Sequence, residues 1–250
     1  MPFAPARIDH LVVAARTLDE GVQWCEATLG VTPGAGGSHP LMGTHNRLLS
    51  LAGSTDSHAH SPAHASAQAP AYPQAYLEII AIDRSKQSRR APGLHRWFDL
   101  DDAQLQAGLA RYGPQLIHFV ARVPDVAATL RALAHQQAHI DRGQLIDAAR
   151  DGLAGRLEWQ ITVRDDGQRL FYGALPTLIQ WGPVHPTDAM APTSGVTLSA
   201  LSARHPRADA LHAALASIGL GSFEVQQGAP NLCATLETPL GTVRLESKGL

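Results

Sequence analysis

Two histidines, a carboxylate and an amide recur at matched places along this chain of 250 residues. His10 stands in the run IDHLVV and His118 in LIHFVA, while Glu78 stands in YLEIIAI and Gln180 in TLIQW. A lone strand histidine is as often a packed core residue as a metal ligand or an acid–base group. Two in one register, with a carboxylate in reach, favour chemistry. Glu78 adds to this, because a carboxylate inside an apolar run needs a partner. A third cluster, His39, His45 and Asn46, falls in the stretch GAGGSHPLMGTHN. That stretch reads either as a glycine-allowed bulge leading into a strand or as a rim loop meeting a polar substrate. The rim loop, with His39, His45 and Asn46 as substrate-binding residues, is the preferred reading.

The elements that must position these residues repeat. Ile8 to Ala14 is β-branched or apolar and reads as a strand. Thr17 and Glu20 then form a capping box, Leu18, Val22, Cys25 and Leu29 follow at helical spacing, and Gly30 terminates the helix. A Gly-rich strand or turn at 31–38 and strands at 46–51 and 76–82 complete the first unit. The same order returns with a strand at 116–123, a helix capped by Asp125, and strands at 140–144, 157–163 and 177–181. It returns once more from Val196, with a helix after Pro206 ending at Gly219 and three short strands. The chain is thus read as α+β, with tandem β-α-β-β-β modules. Module one spans 1–82, a linker 83–115, module two 116–190 and a third module 191–250. The third has Leu198 where the others have histidine, which suggests a scaffold or a dimer contact. Residues 54–75, rich in Ala, Ser, Pro and His, read as a mobile insertion, and its His58, His60 and His64 as non-functional. Trp97 and Phe98 are expected to tie the linker under one sheet edge, and His185 to serve a turn.

In the first strand Ile8, His10, Val12 and Ala14 share one face. In its counterpart Ile117, Phe119, Ala121 and Val123 form a wholly apolar face suited to a covering helix. His118, and by equivalence His10, should then point to the opposite, concave side. At this point the chain resembles the vicinal oxygen chelate superfamily, most closely its glyoxalase-like branch. IDHLVVAARTLDEGVQW, GGSHPLMGTHNRLL, YLEIIAI and IQWGPVHP carry the resemblance. It implies two modules forming an open, curved mixed sheet, a half-barrel with helices outside. It further implies a divalent metal on the concave face held by His10, Glu78, His118 and Gln180, with Glu78 catalytic. Such a donor set suits Zn, Ni, Mn or Fe(II), acting as a Lewis acid on substrate oxygens. The implied activity is that of a lyase, isomerase or dioxygenase on a small oxygenated molecule. The alternative is a metal-free sequestering protein of the bleomycin-resistance kind. Gln180 departs from the two-carboxylate pattern of glyoxalase I, since an amide cannot accept a proton. In extradiol dioxygenases the carboxylate comes from the second module of the pair, whereas here it lies in the first.

Composition narrows the partners. The formal net charge is −2, and no basic run offers a nucleic-acid face. The apolar run Leu11–Ala15 is too short for a membrane span. The two cysteines, Cys25 and Cys233, have no metal-type spacing, and Cys25 falls on a helix's apolar stripe. A cytoplasmic protein with a small-molecule substrate, and with neither nucleic-acid nor membrane partners, is expected.

Overall fold

The structure is a computed structural model that describes residues 5–52, 72–135, 140–152, 155–191 and 193–249. Most of the low-complexity insertion lies outside the described residues. Its last four residues do not: Pro73 and Gln74 are exposed, while Tyr72 packs partly buried against the core and Ala75 is fully buried and accepts the Leu51 amide at 2.8 Å.

Module one runs β1 (Arg7–Ala14), α1 (Leu18–Leu29), β2 (Gly34–His39), β3 (Thr44–Ser50) and β4 (Tyr76–Ile82). The α1 cap is the expected one: Thr17 accepts the Glu20 amide at 3.2 Å, and Gly30 closes the helix in the left-handed region. The linker contains a helix that hydrophobic spacing alone did not reveal, α2 (Ala103–Tyr112), capped by Asp102. Module two runs β5 (Gln115–Arg122), α3 (Val126–Ala134), β6 (Gln144–Gly152), β7 (Gly155–Val163) and β8 (Thr177–Trp181). Strand β6 begins where the expected strand at 140–144 ends. As an edge strand it carries two Asp and one Arg among its residues, so no apolar run marks it.

The eight strands form one curved sheet in the order β2-β3-β4-β1-β5-β8-β7-β6. It is symmetric about the antiparallel β1–β5 pair, and each first strand pairs in parallel with its own module's fourth. The outer edges approach one another, and Arg150 of β6 lies against Gly37 of β2, where an added Cβ would sit 2.6 Å from Arg150 Nη1.

The third module comprises β9 (Thr197–His205), α4 (Ala208–Ala216), β10 (Glu224–Gln227), β11 (Asn231–Thr238) and β12 (Gly241–Glu246). It repeats the element order with different wiring. Its own sheet runs β10-β9-β11-β12, and the first strand pairs in parallel with the second rather than the fourth. This module covers the outer face of the large sheet, where Phe119 stacks on Phe223 with ring centroids 5.3 Å apart. Leu11, Val13 and Ile79 from the sheet, Cys25 and Leu29 from α1, and Leu211 and Leu215 from α4 share one core. Burial pushes the Cys25 thiol up to about 12, an inert group.

A second core fills the concave face. Val12, Ala14, Ile80 and Ile179 meet Trp97, Phe98, Leu100 and Leu105 there. Trp97 and Phe98 therefore plug the bowl of the sheet rather than bracing its edge. The expected alternation of β5 also breaks. Val12 faces His118 and Val13 faces Leu116, so Ile117 is the extra residue of a bulge and joins the concave core while Leu116 joins the outer one. No helix among the described residues is long and apolar enough to cross a membrane.

Candidate functional site

The β1–β5 register also slips between Ile8 and His10. The skipped residue is Asp9. A bulge re-aims side chains, and here two consecutive ones engage the same cluster. His10 Nδ1 lies 2.7 Å from Asp9 Oδ1. Trp181 Nε1 donates to Asp9 Oδ2 at 3.1 Å, and His185 Nε2 does so at the same distance. Burial alone would raise the Asp9 carboxyl, but the hydrogen bonds from His10 and His185 outweigh it and hold it below the usual carboxylate range. Asp9 is therefore an anion that only accepts. His10 therefore carries a proton on Nδ1, and the neutral form of the ring has its lone pair on Nε2.

Nε2 faces Glu78. His10 Nε2 and Glu78 Oε2 are 3.6 Å apart, both residues are buried, and His10 stacks on Tyr76. The other carboxylate oxygen is fixed by Asn46, whose Nδ2 donates to Oε1 at 2.6 Å. Asn46 is in turn oriented by the Gly37 amide, which donates to its Oδ1 at 2.8 Å. Only glycine fits beside it at 36, where a Cβ would stand 2.2 Å from Asn46 O and Oδ1. His39 completes the cluster, with Nε2 3.4 Å from Asn46 Nδ2. Burial, with help from Arg150, pushes His39 down to about 3, so it is neutral.

These groups surround a cavity of about 20 Å³, room for about one water. Arg150, Trp97, Trp159 and Trp181 supply its other walls. Among the described residues Arg150 makes no close ion pair, though Glu78 lies near enough to favour its charge against burial, and the buried Trp97 Nε1 has no hydrogen-bond partner.

A family model described as a glyoxalase-like domain matches residues 8–219. The chain belongs to the glyoxalase-like family. The fold of this glyoxalase-like protein is similar to that of a hypothetical protein from Staphylococcus aureus. The two are 12% identical, with 97% of this chain and 88% of that one covered and a TM-score of 0.56. A Streptomyces coelicolor methylmalonyl-CoA epimerase in complex with 2-nitronate-propionyl-CoA is 18% identical, covering 73% of this chain and 99% of that one at a TM-score of 0.41. The methylmalonyl-CoA epimerase from Mycobacterium tuberculosis is 19% identical, covering 75% and 93%, with a TM-score of 0.38. No curated protein matches the chain.

Of the four ligands that the resemblance implied, the structure brings together only two. His10 and Glu78 converge, but His118 and Gln180 are committed elsewhere. The Thr177 amide donates to His118 Nε2 at 3.1 Å, so Nδ1 carries the proton and lies 2.9 Å from Gly173 O. Burial holds this ring down to about 3, neutral, with both nitrogens in use. Gln180 lies on the other side of β8 from the cavity-lining Ile179 and Trp181, and its Oε1 accepts the Val126 amide at the start of α3. The pairing register explains the misplacement. Val12 faces Glu78 across β1 and β4, and Val120 faces Thr177 across β5 and β8. Thr177, not Gln180, is the counterpart of Glu78.

The metal set consequently does not fit. Among the described residues no three His, Cys, Asp or Glu side chains gather as a metal would need. The N–H of Asn46 also occupies one oxygen of Glu78, leaving two donors where a catalytic site uses three.

The Gly-rich segment is a strand pair rather than a rim loop, with a register slip between Ala35 and Ser38. Asn46 and His39 face the cavity, whereas His45 alternates to the other side of β3. Sequence reasoning missed Asp9, Trp181 and Arg150, and gave His185 a turn role alone. His185 does cap the 3-10 turn at Pro186–Ala189, but its Nε2 also reaches Asp9. Asp9 sits directly beside His10 and was the one signal available, hidden because strand alternation assigns neighbours to opposite faces.

Proposed function

We propose that this glyoxalase-like protein is an enzyme that moves a proton on a small oxygenated molecule, at a carbon next to a carbonyl. The carrying observation is the array Asp9–His10–Glu78. A carboxylate-oriented imidazole whose Nε2 faces a second carboxylate is a pair of groups that can each take up a proton from a substrate carbon. Whichever of the two acts as base takes the proton from the carbon and then gives it, or one exchanged with water, back to the same carbon, while Asp9 keeps the Nδ1 proton of His10 in place. Arg150 and the Trp97 N–H would meet the substrate's oxygens as charge develops on them. No step here is routed through a metal, because the donor set described above is one ligand short.

The test is deuterium uptake from D2O by 2-oxo acids, 2-hydroxy aldehydes and acyl thioesters, followed by proton NMR. Wild type should exchange at least one class. Glu78→Gln keeps the Asn46 contact and should cut exchange about a hundredfold or more, the typical worth of a general acid–base group. Exchange by no class, or equal exchange by the variant, would refute the reading. The sequestration reading is favoured by one observation, the N–H of the cavity-lining Trp97 that has no partner among the described residues. It requires a compound that raises the melting temperature without being converted.

A further inference from the structure

A much larger space lies away from this cavity. A groove of about 1070 Å³ runs between α2, α3 and the length of α4, where the third module meets the second. Phe171 and Tyr172 form part of its wall, and both hold positive φ, 51° and 52°, a costly backbone for aromatic residues. The strained turn sets their rings against His205, with centroids at 4.9 and 5.9 Å, and the Arg207 guanidinium lies over Phe171 at 4.9 Å.

His205 is only 3% exposed, yet it is half used. Its Nδ1 accepts the Arg207 amide at 2.9 Å. A neutral ring then carries its proton on Nε2, and that N–H has no protein partner among the described residues. Helix α4 starts at the same place without a side-chain cap, leaving its first amides to other acceptors. Two acidic residues line the groove, and both are engaged: Asp99 pairs with Arg169, and Asp102 caps α2. The buried Arg142 also lines it, and among the described residues its one hydrogen bond is to the Pro176 carbonyl. Its unengaged donors therefore outnumber free acceptors, while Leu105, Leu133 and Ala214 give an apolar side.

We infer that this groove binds a small organic anion. A carboxylate or phosphate group sits between His205 Nε2, Arg207 and the first amides of α4, and an aromatic or other apolar body lies along the Phe171–Tyr172 wall. The volume suits a ligand of cofactor size. This site is independent of the acid–base cavity.

Calorimetric titration of the full chain with phenyl phosphate, benzoate and inorganic phosphate tests it. At least one probe should bind one to one. Preference for the two phosphates identifies a phosphate ligand, and preference for benzoate a carboxylate. His205→Asn keeps an acceptor for the Arg207 amide but leaves no donor at the position of Nε2, its own amide group being shorter than the ring, and Arg207→Gln removes the charge. Each should weaken binding roughly tenfold, about 1.4 kcal/mol. Arg207→Lys should retain most of it, and Glu78→Gln all of it, with melting temperatures reporting the fold of every variant. Saturable binding by none of the probes overturns the proposal. So does binding that survives both His205→Asn and Arg207→Gln in folded protein, or that is lost in Glu78→Gln.

Discussion

Asp9 receives three hydrogen bonds on its two oxygens, from His10, Trp181 and His185. Asp9→Asn keeps the shape but turns one acceptor into a donor, so at least one of these partners faces an N–H. If His10 is that partner, its tautomer reverses and Nε2 loses its lone pair. We expect proton exchange to fall at least about a hundredfold, as for a misoriented catalytic histidine. We also expect a loss of about 2 kcal/mol in a urea melt from the unpaired buried group. A variant with wild-type exchange would show that Asp9 is structural alone. His39 and His118 set the acid limit. Folded, both stay neutral down to about 3, while the unfolded chain protonates them near 6.5. Their stabilisation is whole above pH 6.5 and drains as pH falls toward 3, by up to about 1.4 kcal/mol per pH unit each. Urea midpoints at several pH values between these limits check this, and a flat profile refutes it. His10 and Glu78 were legible as chemistry because polar residues in apolar strands are conspicuous. Asp9 was not, since it becomes functional only through a bulge.

At the scale of elements, most boundaries followed from caps and periodicity. Strand β4 spans Tyr76–Ile82 and β8 spans Thr177–Trp181, as read from their apolar runs. Strand β6 and helix α2 escaped, one for lack of an apolar run and the other because its apolar residues fall in a segment taken for a linker. The site depends on β2 keeping its bulge. Gly36→Ala would drive a Cβ into the Asn46 backbone and side chain. Backbone cannot yield cheaply, so we expect a loss of about 1–3 kcal/mol, together with weaker exchange as Asn46 releases Glu78. Gly37→Ala meets only the flexible end of Arg150 and should cost less than half as much. Chemical denaturation of the two variants side by side decides the point. Equal losses would mean that Arg150 is held as rigidly as backbone.

For the molecule as a whole, the third module is part of the core rather than an appendage. Phe223→Ala opens a cavity beside Phe119 and should cost about 3–5 kcal/mol, with a single cooperative transition retained. A separate early transition for residues 191–250 would contradict the shared core. The repeated element order was visible in the sequence, but the wiring of β9 beside β10 was not, because strand patterns carry no record of which edge they join. The meeting of β2 and β6 has a kinetic consequence. Among the described residues, the two outer edges share no ladder of paired amides, and Arg150 lies across them at Gly37. A ligand larger than a water that enters between these edges must part the seam before it reaches His10. Association should therefore be paced by how often the two halves separate, and the observed rate should level off as ligand concentration rises. Arg150→Ala, with nothing across the seam, should lift that plateau even if it weakens the final complex.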